Sequence, residues 1–258
     1  MTNYLIAVNY DTSELVDNWF NSAYEHIPHL VTVIIDNFST DVERLKVLEK
    51  CKILGIYLVE SDNIGYGAAL NKGLAFIASN FEIKDSDIIM MGNIDIEFNR
   101  FCQIKLKEPT IFMPTIIEKS KNDKRNRNPF LTNLQSKMIL FYKRDARNFI
   151  WMRFVFIVLI VKMLGFFKSK PYAVHGSMFC FNGSLAKKNT QLFNEKSFLY
   201  CEEIDFAKFI ENYHIPIILW NSEILHIPHA STFTHYSKAS SRTALWQQSF
   251  TEYLKKWT

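Results

Sequence analysis

A single Rossmann-like α/β domain, with a mostly parallel central sheet flanked by helices, is the architecture this sequence predicts. Short apolar runs rich in β-branched residues alternate with helix-period segments as far as residue 98. Such alternation marks strands buried between two helical layers. At 258 residues, 48% of them hydrophobic and 22% charged, the chain has enough apolar material for one sizeable core.

The first strand is expected over 4–8, followed by a helical pattern carrying Leu15, Trp19 and Tyr24. A second strand over 31–35 ends at Asp36, and a helix at 45–51, a strand at 56–60, a helix at 68–79 and a strand at 88–91 continue the alternation. The stretch 242–257 reads as a final helix. Between 149 and 167 the chain is apolar but broken by Arg153 and Lys162, leaving too short a run to span a bilayer core of about 30 Å. Trp151, Phe154 and Phe156, with basic residues on both sides, suit a helix lying in a membrane interface; a buried core helix explains them equally.

A formal charge of +4 is too small to imply a nucleic-acid partner, and none is expected. The positive charge gathers between Lys119 and Arg147, just ahead of the apolar stretch. Cys51, Cys102, Cys180 and Cys201 show no paired spacing, which argues against a zinc site or a disulfide framework and suits a reducing compartment. The N-terminus lacks the basic and long apolar regions of a signal peptide, so a cytoplasmic location is expected, with peripheral contact at the inner face of the plasma membrane.

In open α/β sheets the ligand crevice lies beyond the carboxyl ends of the strands. Here those ends carry Asn9-Tyr10-Asp11, then Asp36-Asn37, then Asp62-Asn63-Ile64-Gly65, then Gly92-Asn93-Ile94-Asp95. Asp36 can accept hydrogen bonds from a nucleobase or ribose, and the Asn93-x-Asp95 pair can hold a divalent cation, Mg2+ or Mn2+, through oxygen. Asp41 reads better as a helix cap. The glycine-bearing segment 63–73 lets backbone approach a ligand and opens a helix whose N-terminus favours phosphate; a tight turn explains it as well. It has neither the phosphate-loop nor the dinucleotide fingerprint.

Glu202, Glu203 and Asp205 crowd together between apolar residues. Mutual repulsion raises the pKa of one such carboxylate toward neutrality, which suits a general base; a solvated helix N-terminus is the alternative. His226 and His229 can serve a cation or a phosphate, or be structural.

Taken in order, VIIDNFSTD (33–41), NIGYGAALNKG (63–73), GNIDIEF (92–98), HGSMFCF (175–181), FLYCEEIDF (198–206) and HIPHAS (226–231) resemble the bacterial family 2 glycosyltransferases of the rhamnosyltransferase-like kind. The resemblance implies a glycosyltransferase type A fold, with residues 1–98 binding a nucleotide-sugar and 99–258, including the basic and apolar segment 119–167, binding the acceptor. It makes Glu203 the base with Glu202 beside it, and Asp95 the metal ligand. Asn9, Asp36, Asn63, Gly65, Asn71, Asn93 and His226 become donor-binding residues. Three departures stand out: Asn93-Ile94-Asp95 replaces Asn-Pro-Asp, Glu202-Glu203 replaces Glu-Asp, and Phe209 stands where an arginine is usual.

The activity implied is inverting, metal-dependent transfer of a hexose or rhamnose from a nucleoside-diphosphate sugar to a hydroxyl of a saccharide acceptor. A lipid-linked acceptor in the synthesis of a cell-surface polysaccharide, O-antigen or capsule, is the expectation. A nucleotidyltransferase of similar fold and a catalytically inactive sugar- or nucleotide-binding protein are the alternatives.

Overall fold

The computed structural model describes residues 1–37, 40–120, 123–126, 173–227 and 239–257. Its strands are β1 (Asn3–Asn9), β2 (Leu30–Asn37), β3 (Tyr57–Ser61), β4 (Ile88–Asn93), β5 (Ile96–Arg100), β6 (Ile111–Ser120), β7 (Asp123–Asn126), β8 (Met178–Asn182) and β9 (Ile217–His226). Its helices are α1 (Val16–His26), α2 (Asp41–Leu54), α3 (Tyr66–Asn80), α4 (Gly183–Lys188), α5 (Glu202–Asn212) and α6 (Ala239–Trp257). The strands form one sheet in the order β3-β2-β1-β4-β8-β6-β9-β5, with β7 on β6.

Side chains alternate across the strands and so build two cores, one on each face of the sheet. Tyr4 and Ile6 of β1, Val33 and Ile35 of β2, and Ile89 and Met91 of β4 join Leu70, Leu74 and Ile77 of α3 on one face. Leu5 and Ala7, Ile34, and Ile88 and Met90 join Val16 and Trp19 of α1 and Val47 of α2 on the other. Burying each large side chain contributes roughly 1.5–3 kcal/mol, so the period-two pattern sets the register.

The first four strands in the order are parallel, as expected. Beyond β4 the sheet becomes mixed: β8 runs antiparallel to β4, and β5 antiparallel to β9, while β6 runs parallel to β9. Hydropathy ends the early strands sooner than the hydrogen bonding does. The ladder continues through the polar pairs Asn9 with Asp36 and Asn37 with Ser61, and through Asn93 opposite Val8, which lines up the polar strand ends at one edge. Asp41, expected as a cap, is instead the first residue of α2, and Thr40 takes the N-cap position. An acidic first turn still favours the helix dipole.

Arg127 to Arg147 of the basic cluster, the apolar stretch 149–167 and His229 lie outside the described residues. Among the described residues, no helix is long and apolar enough to cross a membrane.

Candidate active site

The strand ends enclose a cavity of about 80 Å³ whose lining includes Thr12, Asn37, Asn63, Gly65, Tyr66, Asn93 and Asp95. Phe198 and Leu199, just ahead of α5, line it too. A larger groove of about 620 Å³ lies over Asp36, Thr40, Arg44, Glu60 and Lys72. Ligand pockets usually run to about 300–1,000 Å³, so a nucleotide-sized molecule at the cavity would have to extend beyond it. A short polar chain joins the two regions: Thr12 Oγ1, on the cavity, donates to Asn9 Oδ1 at 2.8 Å, and Asn9 Nδ2 donates to Asp36 Oδ1, on the groove, at 2.8 Å.

Gly65 makes the turn between β3 and α3. Its φ of +88° is a conformation that side chains disfavour, and a Cβ there would run into the carbonyl of Phe198. The carbonyl of Phe198 in turn accepts the Tyr66 N–H at 3.0 Å. The start of α3 is thereby tied to the segment that leads into α5.

Two antiparallel pairings then bring the second half of the chain to this edge. β8 lies against β4, and Asn93 N–H donates to the Ser177 carbonyl at 3.0 Å, which places His175–Ser177 beside Asn93–Asp95. β9 lies against β5 with His226 opposite Ile96, and Ile227 N–H donates to the Asp95 carbonyl at 3.0 Å. His226 Nε2 ends 3.5 Å from Asp95 Oδ1.

Gly176 is the hub. Its carbonyl accepts the Tyr66 hydroxyl at 2.6 Å, and its N–H donates to Glu203 Oε1 at 3.0 Å. A Cβ at Gly176 would stand 2.8 Å from that same carboxylate oxygen. Burial raises the Tyr66 phenol well above its ordinary range, and the nearby charges of Glu202, Asp95 and Glu203 add to the effect. Three carboxylates from two distant segments therefore bear on one hydroxyl.

Glu202 is 7% exposed, and its Oε1 is buried without a hydrogen-bond partner. Burial, reinforced by Glu203, pushes its carboxyl up to about 8. Glu203 is half-buried; burial raises its carboxyl too, opposed by the Gly176 N–H. His175 stands edge-on to His226 with ring centroids 5.8 Å apart. Burial and the neighbouring His226 lower its pKa to about 4, against the pull of Asp95. His175 Nδ1 accepts the Ser177 N–H at 3.1 Å, so its neutral ring carries the proton on Nε2.

Solved structures share this architecture. The chain superposes on residues 1–349 of TarS from S. aureus with a TM-score of 0.53 at 14% identity, covering 97% of this chain and 71% of that one. A mannosyltransferase from Pyrobaculum calidifontis, solved with GDP-Man and Mn2+, gives 0.53 at 14% identity over 98% of this chain and 64% of the other. Glucosyl-3-phosphoglycerate synthase from Mycobacterium tuberculosis, solved with Mn2+, UDP and glucosyl-3-phosphoglycerate, gives 0.52 at 12% identity over 96% and 77%. The fold is the glycosyltransferase type A fold. The chain spans only 38% of a longer TarS structure. No protein-family model matches the chain, and no curated protein matches it in sequence.

Within this type A fold, Asn63, Gly65, Asn93 and Asp95 line the cavity, and His226 adjoins Asp95. Glu202 and Glu203 reach the same neighbourhood through Tyr66 and Gly176 rather than by lining the cavity. Asp36 belongs to the adjoining groove. Asn9 is completely buried between Asp36 and Thr12, so it positions Asp36 from behind. Asn71, expected to bind donor, lies outside the strand-end cavity and lines a separate groove with Ala68, Lys72 and Glu195. Its oxygen accepts the N–H groups of Leu192 and Phe193, and its Nδ2 donates to the Phe193 carbonyl and to Glu195, so it pins the 192–195 loop.

The expected site residues omitted Tyr66 and His175. Each sits inside a segment that carries the family resemblance, but a tyrosine between two glycines and a lone histidine carry no charge pattern that singles them out. Phe209, in the place of the usual arginine, stacks on Phe206 and meets Tyr213, so that position belongs to the core.

Among the described residues, no group of three or more His, Cys, Asp or Glu side chains is arranged to hold a metal. Asp95 and His226 nevertheless fit a partly protein-bound cation. Asp95 Oδ1 is buried without a hydrogen bond, and its 3.5 Å separation from His226 Nε2 is too long for one yet short enough for both atoms to ligate one ion. A hard divalent cation takes its remaining ligands from phosphate and water.

Proposed function

We propose that this chain is a glycosyltransferase that moves a sugar from a nucleoside-diphosphate sugar to an acceptor hydroxyl. The observation that carries the reading is the convergence of Asp95, Glu202 and Glu203 on Tyr66, beside the Asp95–His226 pair and the strand-end cavity. GDP-Man and UDP in the solved structures of the same fold support a nucleotide-sugar donor.

In this reading residues 1–98 bind the donor, with Asp36 at the base or ribose and Asn63, Gly65 and Asn93 along the nucleotide. Residues 99–258 take the acceptor. Asp95 and His226 hold Mg2+ or Mn2+, which when bound supplies charge neutralisation on the departing diphosphate. Glu203 accepts the proton of the acceptor hydroxyl. The oxygen attacks the anomeric carbon opposite the nucleoside diphosphate, the carbon–oxygen bond to phosphate breaks, and the centre inverts. Gly176 orients Glu203, while Glu202, kept from ionising by burial, spares the site a further negative charge beside Asp95 and Glu203.

The basic and apolar stretch 119–167 supports a lipid-linked saccharide acceptor at an anionic membrane surface, as in the synthesis of a cell-surface polysaccharide. Thermal shift against a panel of UDP-, GDP- and dTDP-sugars with Mn2+, followed by transfer assays, tests the activity. Glu203→Gln is expected to abolish transfer and keep nucleotide binding. Full transfer by that variant, or no stabilisation of the wild type by any nucleotide-sugar, sinks the proposal.

A further inference from the structure

The segment that delivers Glu202 and Glu203 is strained. Tyr200 and Cys201 have φ of 71° and 69°, two consecutive non-glycine residues in the left-handed region directly ahead of α5. Side chains visit that region at a cost, so such a turn persists only where its surroundings over-determine it. One side of the segment faces the site: Phe198 and Leu199 line the cavity, and Phe198 receives the Tyr66 N–H. The other side lies under α6.

The contacts on that second side are numerous and specific. Phe250 and Tyr253 of α6 form a buried cluster with Cys201 and Ile204, against which Tyr200 and Trp257 pack. Ser249 Oγ donates to the Leu199 carbonyl at 2.7 Å. Asp205, 1% exposed in the first turn of α5, accepts Trp257 Nε1 at 2.5 Å, Lys256 Nζ at 3.0 Å and the Asn194 N–H at 3.2 Å. The Lys256 ammonium also lies 4.7 Å from the centre of the Trp257 ring. A carboxylate this deeply buried demands such partners, and both side-chain donors come from α6.

We propose that α6 is a positioning clamp for the carboxylate-bearing turn. Trp257 and Lys256 are positioning residues: acting through Asp205, they hold the 200–201 turn in the conformation that sets Glu203 on Gly176 and Glu202 beside Tyr66. The consequence for turnover rests on the glycosyltransferase reading; the mechanical claim does not.

Amide hydrogen exchange and steady-state kinetics on the full chain separate the two. Trp257→Phe keeps an aromatic ring against the cluster but removes the indole N–H donor, Lys256→Met removes the charge, and Lys256→Arg restores it. In both disrupting variants, exchange in peptides covering 198–206 should rise by about tenfold or more while peptides covering 88–93 stay unchanged. With nucleotide-sugars as probe, kcat should fall by about tenfold or more with donor KM within about twofold, and Lys256→Arg should recover most of it. Unchanged exchange over 198–206 overturns the clamp. Loosened exchange with unaltered kcat overturns its role in positioning, as does loosening that spreads to 88–93 with kcat and donor affinity lost together. Should the wild type turn over none of the donors, the proposed function fails, and the exchange measurement still decides the clamp.

Discussion

His226 Nε2 and Asp95 Oδ1 stand 3.5 Å apart at the join of β5 and β9, both side chains are buried, and no hydrogen bond links them. A buried carboxylate oxygen left without a donor is costly unless something else supplies positive charge. Asp95→Ala should therefore abolish the extra thermal stabilisation that Mn2+ gives in the presence of UDP or GDP. Loss of even an outer-shell partner of a metal costs about 10–100-fold in affinity, so nucleotide affinity in Mn2+ should weaken by at least about tenfold. Titration calorimetry with and without EDTA checks this, and an unchanged metal response would remove Asp95 from that role.

Gly176 touches both Tyr66 and Glu203, and its missing Cβ leaves room only for the Glu203 carboxylate. The atom in the way is the end of a flexible side chain. Gly176→Ala should thus cost little stability, about 1 kcal/mol or less, while displacing Glu203, the proposed base, and cutting kcat by about tenfold or more. Urea unfolding measured beside transfer kinetics distinguishes the two effects.

The pH dependence of stability follows from Glu202 and His175. Glu202 titrates near 8 in the folded chain against an ordinary 4.5, so its contribution is full below 4.5 and is lost as pH rises through 8. His175 titrates near 4 against 6.5, so its contribution is full above 6.5 and is lost as pH falls through 4. The two oppose each other between 4.5 and 6.5, and of this pair Glu202 alone acts between 6.5 and 8. Over that upper window stability should decline by on the order of 2 kcal/mol. Glu202→Gln should abolish the decline in calorimetric scans; a wild-type Tm that rises there would contradict the buried, protonated carboxyl.

Asn71 makes four hydrogen bonds to the 192–195 loop from within α3. Asn71→Ala leaves buried N–H groups of Leu192 and Phe193 without an acceptor and should lower stability by about 1–3 kcal/mol. Nucleotide affinity should stay within about twofold of wild type, because unpaired loop groups and not ligand contacts are what the substitution removes. A selective loss of nucleotide binding would place Asn71 in the donor site.

The early strands were legible because their faces alternate between two cores: Leu5 and Ala7 pack one way, Tyr4 and Ile6 the other. Period-two burial is a local property that a single segment displays. The acidic strand ends at Asp36 and Asp95 were equally legible, since a carboxylate following an apolar run is conspicuous. Tyr66 was not, because its phenol becomes important only when Gly176, Glu202 and Glu203 arrive from far along the chain. Asn71 shows the same limit: a polar residue in a glycine-bearing segment resembles a ligand contact, and the loop it holds becomes visible only in the fold.

By itself the sequence determined the alternation of strands and helices, the parallel pairing of the first four strands, and the polar edge where their carboxyl ends meet, because burial of alternate side chains leaves little choice of register. Tertiary structure decided which groups meet there. Antiparallel entry of β8 and β9 placed His175 and His226 beside Asp95, and a left-handed turn pinned under α6 placed two glutamates beside Tyr66. Those contacts join residues far apart along the chain, so their geometry depends on packing between elements and no local pattern encodes it.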